Sequence, residues 1–390
     1  MADLPAWARW RGDRVAVPWS VGLEEEVVLC GPDGEVANDA AEAIAALPPW
    51  LAARASLETH ACVLELKTGP HPTVAGAGRE LAALRGELAG ALASRLGLRA
   101  FAAGTHPLAE AADVRIGAGA RQRAVARTTR VLAGREPTMA LHVHVGVPGA
   151  QAAVHALDGL RERLPLLLAL GANSPYWRGA DSGFASMRTP LFGAFPRVGI
   201  PRRFGTYAAY VEVVERMLRT GVVPEPGFLW WDARLRPALG TVEVRVADAQ
   251  LDVVDAVALA ALVQCLVRRH AGSDPGAGAA REILDENRFL AARDGIDAAL
   301  LDHAGRRRRE ARELLAELLA GCAATADALG CATEVATAGA LARDPGHARQ
   351  RRLAAVVGAA GLPTLLADRY AGTPDRAAPP AATAAAAGGL

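Results

Sequence analysis

Acidic and imidazole side chains recur in short segments that read as strands: Glu24-Glu25-Glu26, Glu58 and Glu65, His142-Val143-His144, and Glu243. Carboxylate oxygens with an occasional imidazole are what a protein uses to hold Mg²⁺ or Mn²⁺ against phosphate groups. The segments are flanked by β-branched or aliphatic residues, so the expectation is one sheet whose polar face is a metal and nucleotide site. Each segment alone has an ordinary reading. Three glutamates on a strand suit a sheet edge protected by charge. The His-Val-His stretch suits a pair of hydrogen-bonded core histidines, and Glu243 with Arg245 suits an ion pair on a solvated face. Company favours the site. Val21 and Leu23 before the glutamates, and Val27 to Leu29 after them, describe a central strand, and charges on a covered strand need a cation.

Alternation on Ser20 to Leu29 places Glu24 and Glu26 on one face and Leu23, Glu25 and Val27 on the other. Glu24→Gln is therefore expected to abolish turnover, and Glu25→Gln to reduce it much less. Glu58 and Glu65 are an odd number of residues apart, so a bulge or turn must intervene if both face one site. His142 and His144 share a face, as do Glu243 and Arg245; in the site reading Glu243 is a metal ligand and Arg245 a bidentate phosphate clamp.

The elements that must position these groups follow from periodicity. Strands are expected at 20–29, 55–67, 99–104, 138–147 and 240–247, and helices at 79–98 (closed by Gly97), 151–170, 207–220 and 252–270. The Gly- and Pro-rich segment 173–201 reads as an ordered functional loop. From about 285 the pattern is helical only, with Arg306 to Arg309 as a solvated helix face. The last residues, 371–390, read as a disordered tail. The fold class is α+β: helices on a mostly antiparallel sheet, then a helical C-terminal part.

Bulk composition narrows the function. A net charge of +1 among 390 residues gives no global attraction to nucleic acid or an anionic membrane. Lys67 is the single lysine among 43 basic residues, a bias toward Ala and Arg that reflects genome base composition. Five irregularly spaced cysteines support neither a disulfide framework nor a zinc ribbon. The N-terminus lacks the apolar run of a signal peptide and no segment reaches the ~20 apolar residues of a membrane span, so a cytoplasmic location is expected. Apolar helices such as 252–270 suit either a core or a homo-oligomer interface. The chain has no GxxxxGK[ST] loop, no strand followed by GxGxxG and no GxSxG elbow. A zinc hydrolase using the HxH pair would want later strand-end His and Asp ligands, whereas His155, His270, His303 and His347 fall in helical or loop segments. Acid-lined strands remain as the route to nucleotide chemistry.

Seven motifs then occur in order: Gly22-Leu-Glu-Glu-Glu26, Gly104-Thr-His-Pro107, His142-Val-His-Val-Gly146, Asn173-Ser-Pro-Tyr-Trp177, Asp181 to Arg188, Trp231-Asp-Ala-Arg234 and Gly240-Thr-Val-Glu-Val-Arg245. Together they resemble the type 2 glutamate–cysteine ligase family, also called YbdK-like carboxylate–amine ligases. The resemblance covers roughly 21–370 and implies a glutamine-synthetase-like fold, with residues 1–370 as a single catalytic domain. It implies metal ligands at Glu24, Glu26, Glu58, Glu65, His142 and Glu243, and nucleotide or substrate contacts at His144, Asn173, Arg188 and Arg245. Leu23 and Met187 depart conservatively from the family pattern. The implied chemistry is ATP- and Mg²⁺- (or Mn²⁺-) dependent amide formation through an acyl phosphate, joining glutamate to cysteine. A different carboxylate or amine on the same machinery, and a non-catalytic nucleotide-binding regulator, are the alternatives.

Overall fold

The computed structural model describes residues 4–372 apart from 273 and 275. Its frame is a seven-stranded sheet built around the glutamate-bearing strand. The strands of the chain are β1 Val21–Cys30, β2 Ala55–Leu57, β3 Val63–Lys67, β4 Arg99–Phe101, β5 Leu141–Gly146, β6 Tyr176–Trp177, β7 Ala180–Asp181, β8 Val198–Gly199, β9 Trp230–Trp231, β10 Ala233–Arg236, β11 Thr241–Val244, β12 Ala299–Leu301 and β13 Arg308–Glu310. The main sheet runs β10-β11-β5-β1-β3-β2, with β4 pairing the end of β1, and all its pairs are antiparallel. β1 is central, as its apolar flanks require. Val21 and Leu23 pack with Leu141, Val143 and Val145 in one core cluster, and Val27 to Cys30 pack with Val63 and Leu64 in a second.

Two long helices close the core face. Val74–Leu96 starts where Thr73 Oγ1 accepts from the Gly76 N–H and ends at Gly97, whose φ of +64° suits a residue without Cβ. Val253–His270 carries Arg268 and Arg269 in its last turn, where positive charge meets the carbonyl end of the helix dipole. Between them the face is closed electrostatically. Arg85, on the first helix, donates to both oxygens of Glu25 and to the carbonyls of Gln250 and Leu251. Both partners are essentially unexposed. Glu25 is thus one half of a buried ion pair on the core face, turned away from Glu24 and Glu26.

Three expected elements differ. The helix expected over 151–170 is two, Ala150–Leu160 and Leu164–Gly171, because Pro165 lacks the N–H and its ring opposes the carbonyl four residues back. The strand expected over 55–67 is the hairpin β2–β3, which supplies the turn that Glu58 and Glu65 needed. The C-terminal part is not purely helical. After helix Arg281–Asp294 comes the hairpin β12–β13, and the Arg306–Arg309 run forms its turn and second strand, not a helix face. Gly305, at φ +66°, and the Asp302 carboxylate accepting from the Arg306 N–H make that turn. The last helical segment, Gly346–Ala371, is two helices meeting at a kink at Gly358 (φ +72°), and Ala371 belongs to the second; the rest of the expected tail, from 373, lies outside the described residues. All five cysteines are free and buried. Among the described residues no helix is long and apolar enough to cross a membrane.

Candidate active site

Directly opposed residues of an antiparallel pair point to the same face, and the register of the sheet sorts the acidic residues into rows. Arg234, Glu243 and His144 oppose one another across β10, β11 and β5. His142, Glu24 and Lys67 form the next row across β5, β1 and β3. Glu26, Glu65 and Ser56 form the third. Glu58 stands just past the end of β2, where the chain turns. The structure thus brings Glu24, Glu26, Glu58, Glu65, His142, His144, Glu243 and Arg245 together on one face.

The rows are close enough for a shared ion. Ligand atoms of Glu26, Glu65 and His142 all lie within 4.8 Å of one another, as do those of Glu24, His142 and Glu243. The His142 Nδ1 atom is 3.2 Å from Glu24 and 3.5 Å from Glu65. The buried Nε2 atoms of His142 and His144 make no hydrogen bond, and they face Glu26 at 3.5 Å and Glu24 at 3.4 Å. An unsatisfied imidazole nitrogen among carboxylates is what a divalent cation would complete.

The protonation of the cluster points the same way. Burial opposes a charged imidazole at His142, and so does Arg245, yet the carboxylates of Glu26, Glu24 and Glu65 outweigh both and hold it up at about 9. Burial, then the charges of Glu65 and Glu26, push Glu58 up to about 8. Glu24 is buried too but is held low by the imidazoles of His144 and His142. Glu65, buried and beside Glu24, is held low by His142 and Lys67. Glu58 and His142 therefore hold their protons more firmly than free side chains do, where a dication would bring the positive charge instead. The donor set fits Mg²⁺ or Mn²⁺.

Glu243 is held differently from the other ligands. Arg234 grips both its oxygens at 2.9 and 3.0 Å, Arg236 donates at 3.0 Å and Arg245 at 2.5 Å. Despite burial, Arg234 and Arg245 first among its neighbours keep this carboxylate well below the usual range. Sequence reasoning assigned no role to Arg234, Arg236 or Lys67. The signal was present for the arginines, since Arg234 and Arg236 have the same alternation as Glu243 and Arg245 on the next strand.

Beside the rows lies a small cleft of about 70 Å³, lined by Glu26, Glu58, Arg188 and Arg245 together with Phe192, Phe195 and Trp230. The segment 173–201, expected as a functional loop, supplies Arg188 and both phenylalanines from helix Arg188–Gly193 and its exit. Arg188 donates to the carbonyls of Arg245 and Val246, leaving its buried Nε, like that of Arg245, without a partner. Asn173 is not brought to the cleft. It is fully buried, its amide donating to the Ala249 carbonyl and accepting from Gln350, while its backbone N–H reaches Asp248. Asp248 also accepts from Ser174 and Ser186, so this corner fixes the backbone that carries Arg188. Gly104 lies against it: a Cβ there would stand 2.5 Å from the Asp248 carboxyl carbon.

Known proteins share both the sequence and the fold. The family model described as glutamate–cysteine ligase family 2 matches residues 20–371. A protein of Rubrobacter xylanophilus provisionally named glutamate–cysteine ligase 2-1 is 40% identical over 320 residues, covering 81% of this chain and 85% of the relative. One of Sorangium cellulosum, provisionally named glutamate–cysteine ligase 2, is 35% identical over 327 residues, covering 81% and 86%. Among solved structures, the glutamate–cysteine ligase of Francisella tularensis in complex with AMP superposes with a TM-score of 0.69 at 15% identity, over 91% of this chain and 89% of that one. A bifunctional glutathione synthetase from Pasteurella multocida gives the same TM-score and identity over 92% of this chain and 53% of that one. The antiparallel sheet and its flanking helices are thus a ligase fold, and the chain belongs to glutamate–cysteine ligase family 2.

Proposed function

We propose that this protein is an ATP-dependent carboxylate–amine ligase that joins glutamate to cysteine through an acyl phosphate. One observation carries the reading: Glu24, Glu26, Glu58 and Glu65, which no arginine pairs among the described residues, crowd around His142 beside a cleft lined by Glu26, Glu58, Arg188 and Arg245. The AMP bound in the Francisella structure supports a nucleotide in the corresponding fold. Glu24, Glu26, Glu58, Glu65, His142 and Glu243 would hold Mg²⁺ or Mn²⁺, which supplies charge neutralisation between the phosphates of ATP. Arg188 and Arg245 orient the oxygens of the transferring phosphoryl group and stabilise the charge that develops on them. A γ-carboxylate oxygen attacks the γ-phosphorus and ADP leaves. The amine nitrogen then attacks the acyl carbon, inorganic phosphate leaves and the nitrogen loses a proton. Phe192, Phe195 and Trp230 keep bulk water from the acyl phosphate.

A second reading keeps this chemistry and changes a substrate. It is favoured by the aromatic wall, which suits an apolar amine side chain as well as a thiol. The deciding experiment measures ADP and phosphate release with Mg²⁺ across pairs of carboxylates and amines. Release that needs both glutamate and cysteine supports the first reading, and release only with another pair supports the second. A protein that binds nucleotide yet releases nothing with any pair would be a regulator, and the ligase reading would fall.

A further inference from the structure

Lys67 is singled out twice, by composition and by position. It is the one lysine among 43 basic residues, in a chain whose bias supplies arginine everywhere else a cation is wanted. It also lies in the carboxylate rows: its Nζ is 2.7 Å from Glu65 and 4.0 Å from Glu24. The lysine side chain is 41% exposed, whereas those of Glu65 and Glu24 are 5% and 16% exposed. The ammonium therefore sits at the mouth of the cluster, with room to leave it.

Arginines nearby show what a guanidinium does to a carboxylate in this sheet. Arg85 takes both oxygens of Glu25, and Arg234 both oxygens of Glu243. Among the described residues no arginine makes an ion pair with Glu24, Glu26, Glu58 or Glu65; besides the two imidazoles, their one cationic partner is Lys67. A planar fork locks a carboxylate in two parallel bonds, while an ammonium on a flexible stem is a point charge that can exchange partners.

We propose that Lys67 is an exchangeable cation of the active site. It neutralises Glu65 and Glu24 while no divalent ion is bound. It gives up Glu65 when one enters and turns its ammonium to an anionic oxygen of the substrate bound beside the cluster. The proposal rests on the metal-and-phosphate reading of the site. It requires that a neutral residue and an arginine at position 67 move metal affinity in opposite directions. The neutral residue removes an internal competitor, and the arginine makes that competitor permanent.

The test is direct Mn²⁺ binding to the full-length, nucleotide-free protein, followed by the electron paramagnetic resonance signal of free Mn²⁺. Lys67→Met is expected to lower the Kd about 5-fold and Lys67→Arg to raise it about 5-fold, the upper scale of one ion pair of this exposure. Lys67→Gln repeats the first result with a polar side chain, should the Met variant pack poorly. At saturating Mn²⁺, Lys67→Met should raise the KM for ATP about 10-fold. Variants that shift the Kd in the same direction, or leave it unchanged while the wild type binds, overturn the proposal. A wild type that binds no Mn²⁺ overturns it together with the metal reading. Mn²⁺ binding that follows the expected order, with no phosphate release from any substrate pair, leaves the exchange standing and removes the ligase reading.

Discussion

Glu24, Glu25 and Glu26 occupy consecutive positions on one strand and differ in which way they point. On the core face Glu25 meets a single guanidinium that fits it, and Arg85 spends its remaining donors on two carbonyls. On the other face Glu24 and Glu26 meet two histidines, another glutamate and the ammonium of Lys67, and imidazole nitrogens are left without hydrogen bonds. The first arrangement is complete in the protein alone. The second leaves carboxylates that no guanidinium pairs and imidazole nitrogens that make no hydrogen bond. Burial is common to both faces, so burial does not tell a structural carboxylate from a functional one; the partner does.

The largest expected effect breaks the complete side. Arg85→Met leaves the Glu25 charge buried and unpaired and should cost about 3–5 kcal/mol of stability, read from urea unfolding midpoints. Adding Glu25→Gln to it should recover part of that loss. An Arg85→Met protein that unfolds like the wild type would erase the distinction between the faces. On the open side, Glu26→Gln should reduce amine-dependent ATP turnover by about 10²–10³-fold, the scale seen when a transition-state charge loses a partner. Its melting temperature should hold or rise, since one of several crowded charges is gone. A Glu26→Gln variant that melts early with near-normal turnover would reverse the assignment.

The smallest effect is one of pH, and its sign differs between core and site. His106 accepts the N–H groups of Leu108 and Ala109 on Nδ1 and donates from Nε2 to the Gly34 carbonyl, and burial holds its pKa down at about 4. Burial does the same to His60 and His347. These groups take up a proton more readily when unfolded. The stability they confer is therefore full above pH ~6.5 and declines toward pH 4, each by at most about 1.4 kcal/mol per unit. His142, held up at about 9, contributes in the opposite sense: its share is full below pH ~6.5 and is lost as pH rises through 9. Urea midpoints of metal-free protein should therefore fall on both sides of neutrality, with Glu58, held up at about 8, adding to the alkaline limb, and His142→Gln should weaken the alkaline decline while leaving the acidic one. An unchanged alkaline limb in that variant would show that the site histidine behaves like the core ones.

Much of the site was legible because alternation on a strand is a local property. The parity of Glu24 against Glu25, the shared face of His142 and His144, and the need for a turn between Glu58 and Glu65 all follow from neighbours in sequence. What closes each carboxylate does not. Arg85 lies 60 residues from Glu25, and nothing in helix Val74–Leu96 marks it apart from other arginines until the register is known. Asn173 stands in a recognisable motif, yet its amide goes to Ala249 and Gln350, contacts set by chain returning from far downstream. The break at Pro165 could have been read from the proline itself. The β12–β13 hairpin could not, because three-residue strands carry too little periodicity to compete with the helical stretches on either side.

The Glu25–Arg85 pair also bears on the order in which the chain can be finished. The guanidinium of Arg85 lies over the ring of Tyr370, 4.9 Å from its centre. Arg349 and Arg369, on either side of the Gly358 kink in the final helical segment, bind Asp252 beside the two carbonyls that Arg85 holds. The first strand of the main sheet thus acquires its full surroundings only when the last helix docks. A ribosome releasing the chain from its N-terminus exposes the glutamates of β1 long before the residues that enclose Glu25 exist. These contacts span almost the whole sequence, and such distant closures make folding slow. Truncation before position 349 should therefore yield a chain that holds secondary structure but does not seal β1.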